Sequence, residues 1–415
     1  MTGESETDVI IVGGGLAGGL CALALARAGL SVAVVDAEPV PRMRELAFDG
    51  RTSALAYACV RVFKRLGLWP AIEPHAEPIL DILVSDGRAR GRFSDGARSP
   101  LHLHFDSREL ESGEPLGWIV ENVVLRAAIF EAIEKTPEIK LFAPARVERA
   151  AFEAEGAHVE LSTGQRLSAP LIVAADGRNS ALRRQAGIKT TGWQYGQTGI
   201  VVTVKHERPH KGVAHEFFLP SGPFAILPLK DNRSSLVWTE RSDAAPAYLA
   251  LDDDAFTRAI ADRFGEFLGA VELASPRWSY PLALHLAQRF IAPRLALIGD
   301  AAHAVHPIAG QGFNLGVKDV AALADVLEEA AGVGLDLGSM SVLENYERWR
   351  RFESISLSLG MDAINRLFSN DFAPLRLARD IGMSTVGKAA PLRRFFMRQA
   401  GADVGRLPPL MQAER

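Results

Sequence analysis

The sequence predicts an α/β protein: a doubly wound parallel sheet into which a second, antiparallel sheet is inserted. Three observations carry this expectation. Val9-Ile10-Ile11-Val12 is an all-apolar run, as a parallel strand buried on both faces requires. Gly13-Gly14-Gly15-Leu16-Ala17-Gly18 follows directly and opens an Ala- and Leu-rich stretch that stops at Gly29. Around residues 79–105 and 201–239, by contrast, short runs of alternating polarity are broken by turn residues, the pattern of antiparallel hairpins.

Taken in order, a first βαβ unit runs from Val9 through a helix ending at Ala28 to a strand at 31–35 that ends in Asp36. Residues 51–66 and 120–135 read as helices. The stretch 79–105, interrupted by Gly87, Gly91 and Gly96, joins runs at 201–204, 215–219, 224–229 and 235–239 in the second sheet. Residues 170–175 and 294–298 return to the buried parallel type, each followed by an Asp-Gly or Gly-Asp pair. The nucleotide-binding unit is therefore expected in three pieces, residues 1–77, 106–187 and 285–345. The sheet unit takes 78–105 and 188–284, and a helical C-terminal region takes 346–415.

The chain has 415 residues, enough for two or three domains of ~150 residues and a substantial core. Lys and Arg number 46, Asp and Glu 50, a net charge of −4, and 48% of residues are hydrophobic. That composition excludes disorder, and the slight acidity argues against nucleic-acid binding, which needs a basic stripe to neutralise phosphate. The two cysteines, Cys21 and Cys59, form no Cys-x-x-Cys pair, so neither a dithiol redox centre nor a zinc ribbon is expected. Residues 1–8 carry Glu4, Glu6 and Asp8 and no cation, unlike the n-region of a signal peptide, so a cytoplasmic location is expected. No stretch reaches the ~20 apolar residues of a spanning helix, which leaves peripheral contact as the only membrane association expected.

Gly13-x-Gly15-x-x-Gly18, between a strand and a helix, lets backbone amides approach a pyrophosphate at the positive end of the helix dipole. Asp36, eighteen residues beyond Gly18, would accept hydrogen bonds from the hydroxyls of an adenosine ribose. This pair points to a dinucleotide without separating NAD from FAD. Asp300, at the carboxyl end of a buried strand, lies where open α/β sheets bind ligands and could take the ribityl hydroxyls of a flavin. The run from His306 to Asp319 leads into a helix with Val320, Leu323, Ala324 and Leu327 on one face. Its N-terminus, at Gly310-Gln311-Gly312-Phe313-Asn314, would aim free amides at the pyrimidine edge of a flavin, which is anionic when reduced. His303 and His306 are three apart, but no carboxylate or cysteine set completes a site, so no metal is expected. His215 reads more readily as a sheet residue than as a substrate group.

Together these stretches resemble the class A FAD-dependent aromatic hydroxylases, and within them the ubiquinone-biosynthesis hydroxylases of the UbiH/Coq6 type. The resemblance is carried by the whole run His306 to Asp319, by Asp49-Gly50-Arg51-Thr52-Ser53-Ala54-Leu55, by the Asp176-Gly177 turn, by Ser221-Gly222-Pro223-Phe224, and by Leu367-Phe368-Ser369-Asn370. It implies the fold of that group: a Rossmann-like FAD-binding domain with an inserted antiparallel-sheet substrate domain and a helical C-terminal region. It implies that Arg51 and Arg126 reach the FAD pyrophosphate, that Asp176 and Gly177 shape the approach of FAD and NAD(P)H, and that the Pro307 carbonyl faces flavin C4a. The activity it implies is a monooxygenation in ubiquinone biosynthesis. NADPH or NADH reduces FAD, O2 adds at C4a, and the hydroperoxide gives one oxygen to the ring of a polyprenylated phenol. A single Gly-x-Gly-x-x-Gly fits a reductant that docks transiently, without a domain of its own.

Residues 361–398 mix apolar side chains with Arg366, Arg376, Arg379, Lys388, Arg393, Arg394 and Arg398, against Asp362, Asp371 and Asp380. Such faces suit either ordinary packed helices or an anionic membrane surface. Phe217, Phe224, Leu367, Phe368, Phe395 and Phe396 are the residues nominated for the route of a prenyl tail. A complex of ubiquinone-biosynthesis proteins and the inner face of the membrane are the further partners this reading allows. Two rivals stay open: an FAD hydroxylase of a small soluble aromatic, and a non-catalytic flavin-binding scaffold.

Overall fold

The computed structural model describes residues 4–45, 50–86, 102–306, 310–369, 382 and 385–413. A six-stranded sheet runs in the order Ile291–Ala292, Leu295–Leu297, Leu171–Ala174, Val9–Val12, Val32–Val35, Ile139–Phe142. Its strands are parallel, with Ile10 level with Ala33 on one side and Ile172 on the other, except for the antiparallel Ile291–Ala292 edge. Every residue of Val9–Val12, Val32–Val35 and Leu171–Ala174 is buried. Helices Leu16–Arg27, Asn122–Glu134 and Gln311–Gly332 and a four-stranded sheet (Glu4–Glu6, Arg166–Ala169, Ala157–Leu161, Val147–Phe152) pack over them in one apolar core.

The second sheet has nine strands. Along it lie His303–Ala304, Trp278–Ala287, Thr190–His206, Arg233–Arg241, Gly222–Leu229, Val213–Leu219, Asp81–Asp86 and Leu103–Asp106, with Val271–Leu273 paired to Thr190–His206 off that path. The runs expected between 201 and 239 are all strands, each longer than its apolar stretch. One pairing departs from the hairpins expected: Asp81–Asp86 runs parallel to Val213–Leu219. Parallel neighbours need a crossover, and here the chain returns through part of the nucleotide-binding core, adding Asn122–Glu134, Ile139–Phe142 and Leu171–Ala174 between residues 86 and 213. The hairpin glycines Gly87, Gly91 and Gly96, and Asp371, Arg376, Arg379 and Asp380, lie outside the described residues.

A third, three-stranded sheet joins Thr52–Ala56, Gly117–Glu121 and Glu77–Ile79. It corrects two expectations: the helix at 51–66 begins only with Tyr57–Arg65, and the one at 120–135 is Asn122–Glu134. Ala54, Leu55 and Ala56 favour helix on their own. Pairing with Gly117–Glu121 holds them extended, as does the Asn314 side chain, which donates to Ala54 O at 2.8 Å and accepts from the Ala56 amide at 2.9 Å.

Helix Asp253–Phe264 covers the outer face of the nine-stranded sheet, where Phe217, Leu219, Phe224, Trp238 and Phe256 form a core of their own. The 29-residue helix Met340–Phe368 starts on the nucleotide-binding core through Tyr346 and Arg350 and ends on the second sheet through Asp362 and Asn365. It therefore runs straight across position 345/346. After helix Ala390–Ala400 the chain returns to the first core, where Gly401 lies on the Tyr57 ring and Met411 is buried.

The glycine loop tolerates side chains unevenly. A Cβ on Gly18 would lie 1.8 Å from the Gly13 carbonyl oxygen, whereas one on Gly15 would meet nothing within 4 Å. Gly18→Ala is expected to cost about 3 kcal/mol or more, since the clash is with backbone that cannot turn aside, and Gly15→Ala close to nothing. Thermal denaturation of the two variants checks this contrast.

Candidate active site

Strand ends and two helix N-termini meet at one place. Helix Leu16–Arg27 begins at Gly15 and helix Gln311–Gly332 at Gly310; neither N-cap residue carries a side-chain cap, and at Gly15 the first-turn amides remain for a ligand. Small residues set their approach. A Cβ on Gly299 would come within 3.2 Å of Ala17 Cβ, and one on Gly316 within 3.4 Å of Gly299 Cα. Gly310, at φ 62°, would drive a Cβ to 2.6 Å from Ala54, a conformation and a fit that only glycine provides. A ligand with an anionic centre and an extended shape gains from both dipole ends.

The expected site residues fall into two groups. Asp36 closes the strand Val32–Val35, and its carboxylate accepts the amides of Gly14 at 2.5 Å and Glu38 at 2.7 Å, which anchors it beside the glycine loop. Asp300 is exposed on the turn Gly299–Ala301, so it joins Gly13, Gly15, Gly18 and the Gly310-Gln311-Gly312 corner. Arg51 is exposed, and its carbonyl accepts the Asn122 amide at 2.9 Å. The others serve the protein more directly. Arg126 donates to the carbonyls of Met43 at 3.1 Å and Glu45 at 3.3 Å. Asp176 Oδ2 accepts the amides of Ala181 at 2.8 Å and Leu182 at 3.3 Å, capping the short helix Ala181–Gln185, while its buried Oδ1 has no hydrogen-bond partner among the described residues. Gly177 makes the turn between them. Phe313 packs edge-on against Phe63 with centroids 6.3 Å apart, and buried Asn314 spends its amide on Ala54, Ala56 and Gly310. Pro307, Ile308, Ala309 and Asp49 lie outside the described residues.

Asp319 received no role from its place at the end of the run His306 to Asp319, yet it organises this corner. It is fully buried, and its Oδ2 accepts from His303 Nε2 at 2.6 Å and the Gly299 amide at 3.0 Å, while Oδ1 accepts from Arg350 Nε at 2.9 Å. Burial works against its charge, but His303 and Arg350 outweigh burial and hold the carboxyl below its usual range. Arg350 also pairs with Glu353, which in turn takes Lys318. The signal in the sequence was Lys318-Asp319, two charges on an otherwise apolar helix face.

Facing this corner is one side of the second sheet. Val84, Glu216, Ala225, Val237, Val201 and Trp278 stand level in successive strands. Their chain neighbours Phe217, Leu236, Trp238 and Ile200 point into the outer core, so this row faces inward. Two contacts tie the inward face to the first core: Ser235 Oγ lies 3.1 Å from Thr52 Oγ1, and a Cβ on Gly50 would fall 2.1 Å from the Trp278 ring. Val84, Glu216, Val237 and Trp278 nevertheless stay partly exposed, although their strands have neighbours on both sides. The sheet and the core thus leave a cleft between them. Phe218 packs against Phe368 with centroids 4.2 Å apart and rings tilted by 34°, and buried His306 meets the Tyr195 ring edge-on at 5.1 Å. Burial pushes His306 down to about 4 and Glu216 up to about 8. His215 instead faces Phe267 on the outer side, at 4.6 Å, and Phe217 and Phe224 are buried there too, so none of the three lines the cleft, which corrects the two nominated phenylalanines. An apolar, aromatic cleft beside unspent amides suits a flat aromatic ring held against a dinucleotide.

Residues 6–352 match the family described as FAD binding domain. Ubiquinone hydroxylase UbiL of Rhodospirillum rubrum is 48% identical over 402 residues, covering 96% of this chain and 91% of the relative. 3-Demethoxyubiquinol 3-hydroxylase of Escherichia coli is 35% identical over 399 residues, covering 96% and 99%. The chain belongs to the UbiH/Coq6 family of class A flavin hydroxylases. This flavin hydroxylase shares its fold with p-nitrophenol 4-monooxygenase PnpA from Pseudomonas putida, at a TM-score of 0.79 and 21% identity, covering 97% of this chain and 100% of that one. FAD is its cofactor, and the residues present fit it, since a pyrophosphate needs backbone without side chains and amides without partners, and the corner at Gly15 supplies both.

Two outcomes follow for the flavin hydroxylase. Gly15→Val should fold, because the side chain enters open space, yet carry no FAD, because that space faces the unspent amides; absorbance at flavin wavelengths of the purified variant checks it. Arg350→Met should cost about 3–5 kcal/mol by leaving Asp319 buried with too little compensation. Because the Asp319 carboxyl is held below its unfolded value of about 3.9, its stabilising effect is present above that pH and is lost as pH falls through the lower folded value. Acid titrations of wild type and Asp319→Asn, followed by circular dichroism, should show a weaker loss of stability with falling pH in the variant, the difference being the part that Asp319 contributes.

Proposed function

We propose that this flavin hydroxylase inserts one oxygen atom of O2 into the aromatic ring of a polyprenylated phenol in ubiquinone biosynthesis, with NADPH or NADH as reductant. The observation that carries the reading is the 48% identity to UbiL along 96% of the chain, on a fold that opens an aromatic cleft beside the flavin corner. When bound, FAD supplies the redox chemistry, accepting a hydride and activating O2. The chain supplies grip and orientation. Gly13, Gly15 and Gly18 give the pyrophosphate its bare backbone, with Arg51 and Arg126 near its charge, and Asp36 takes the adenosine ribose. Asp300 would take the ribityl hydroxyls, and Gly310 and Gly312 with the helix amides would hold the pyrimidine edge. Phe313 and Asn314 fix that helix to Thr52–Ala56, and Asp176 and Gly177 would shape the nicotinamide approach; the role expected of Pro307 belongs to a residue outside the described ones. Residues 1–77, 106–187 and 285–345 carry the cofactor, and 78–105 and 188–284 the substrate.

A polyprenyl tail gains about 0.8 kcal/mol for each CH₂ withdrawn from water, so it reaches the cleft from an apolar surface and not through solution. The C-terminal helices offer that surface. Leu367, Leu392, Phe395 and Phe396 are exposed, the last two rings touch at 5.7 Å, and the exposed Arg394 and Arg398 border them. Phe368, packed against Phe218, leads from there to the cleft. No helix among the described residues is long and apolar enough to cross a membrane. The contact in this reading is peripheral, on the inner face, with room for other proteins of the same pathway.

Expression in strains that each lack one ubiquinone ring hydroxylase should remove the accumulated intermediate in at least one of them, read by mass spectrometry; persistence in all sinks the reading. The double variant Phe395→Ser/Phe396→Ser should lower binding to vesicles containing anionic lipid at least about tenfold while keeping its FAD, since each ring contributes about 1.5–3 kcal/mol when buried. Unchanged vesicle binding in a sedimentation assay would remove the membrane route and leave the hydroxylase intact.

A further inference from the structure

The cleft wall holds one carboxyl with no counterion. Glu216 stands between Val84 and Ala225 across the sheet, and between Ala214 and Phe218 on the same face of its own strand. It is partly exposed although its strand is interior, which places its carboxyl at the cleft. Among the described residues it has no hydrogen-bonded or ion-paired partner. The charged groups on the elements around it are turned to others: Arg366 to Asp362, Arg393 to Glu109, Arg233 to Glu121, Lys230 to Glu77, and His104 to Asp81. Tyr280, on the same face and raised by its own burial, Tyr195, raised by burial and by Asp362, and His306, held neutral, are further titratable groups at the cleft.

We propose that Glu216 is a catalytic residue that takes the phenol proton of the ring to be hydroxylated. This assignment rests on the phenol reading above. The substrate O–H bond breaks, a new O–H bond forms on the Glu216 carboxylate, and the electron pair stays on the phenol oxygen. No electron is transferred in this step, the ring becomes electron-rich ortho and para to that oxygen, and the proton returns to the product as it leaves. Uncompensated burial raises Glu216 to about 8, so the group exchanges a proton near neutral pH. Only its ionised form accepts, so turnover rises with pH through about 8.

The test uses the FAD-loaded enzyme and two short-chain phenols of one shape, an ordinary one with a pKa of about 10 and a fluorinated one already ionised at neutral pH. The wild type should show the rise with pH on the ordinary phenol alone. Glu216→Gln should lose about 100-fold or more in kcat/KM on the ordinary phenol and less than about fivefold on the fluorinated one, with FAD content and the rate of flavin reduction by NADPH unchanged. Glu216→Asp should restore part of the activity and the rise with pH, its midpoint displaced. Equal losses on both phenols, no loss, or a rise that survives in Glu216→Gln each overturn the assignment while the phenol reading stands. A wild type that hydroxylates neither phenol overturns that reading, and the assignment falls with it.

Discussion

One buried carboxylate holds the two halves of this molecule in register. Asp319 accepts from the Gly299 amide at the end of a parallel strand, from His303 in an edge strand of the second sheet, and from Arg350 on the helix that spans both. A charge so deep survives only because all its partners are present, so those partners cannot drift apart without leaving it uncompensated. The constraint falls on a turn and a helix that approach through Gly299 and Gly316, with Asp300 and the Gly310 corner alongside. The geometry of the flavin corner is therefore set from behind, by a network that touches no ligand.

The same helix fixes the width of the cleft. Met340–Phe368 is bonded at one end to Leu297 O through Tyr346, at 2.7 Å, and at the other Asn365 donates to Gln197 at 3.1 Å while Trp193 donates to Asp362 at 3.1 Å. Buried Ser354 and Ser358 on its length let it lie close to its neighbours. With both ends tied, the inner face of the second sheet cannot close onto the core, although the outer face is sealed by Asp253–Phe264. A sheet buried on one side and open on the other is an unfavourable use of apolar surface unless something occupies the open side.

Legibility in the sequence followed the range of the interaction. The parallel strands and the glycine loop are local chemistry, an apolar run against bare backbone, and residues 9–36 show them directly. Thr52–Ala56 is a strand only because Gly117–Glu121 and Asn314, some 60 and 260 residues away, make it one. The network at Asp319 joins residues 299, 303 and 350, which no periodicity relates. On the strand Val213–Leu219 the sequence drew attention to His215, yet strand parity turns His215 outward and its neighbour Glu216 inward. A single step of register exchanges the two faces, and nothing in the alternation says which face meets the cofactor domain.

Asp319 and Glu216 show how one fold gives the same functional group opposite tasks. Both carboxyls are withdrawn from water, which by itself disfavours charge. Around Asp319 a histidine and an arginine reverse that effect, so its ionised form supports the fold and the support fades as pH falls. Around Glu216 nothing reverses it; the folded protein prefers it protonated, and its contribution to stability is lost as pH rises from its unfolded value of about 4.3 through about 8. A core under selection for stability alone would have paired such a carboxyl or replaced it with an apolar residue of the same shape. That it stands unpaired on the open wall, and not in the sealed outer core a residue away, is the placement that a proton-accepting role in the cleft would require.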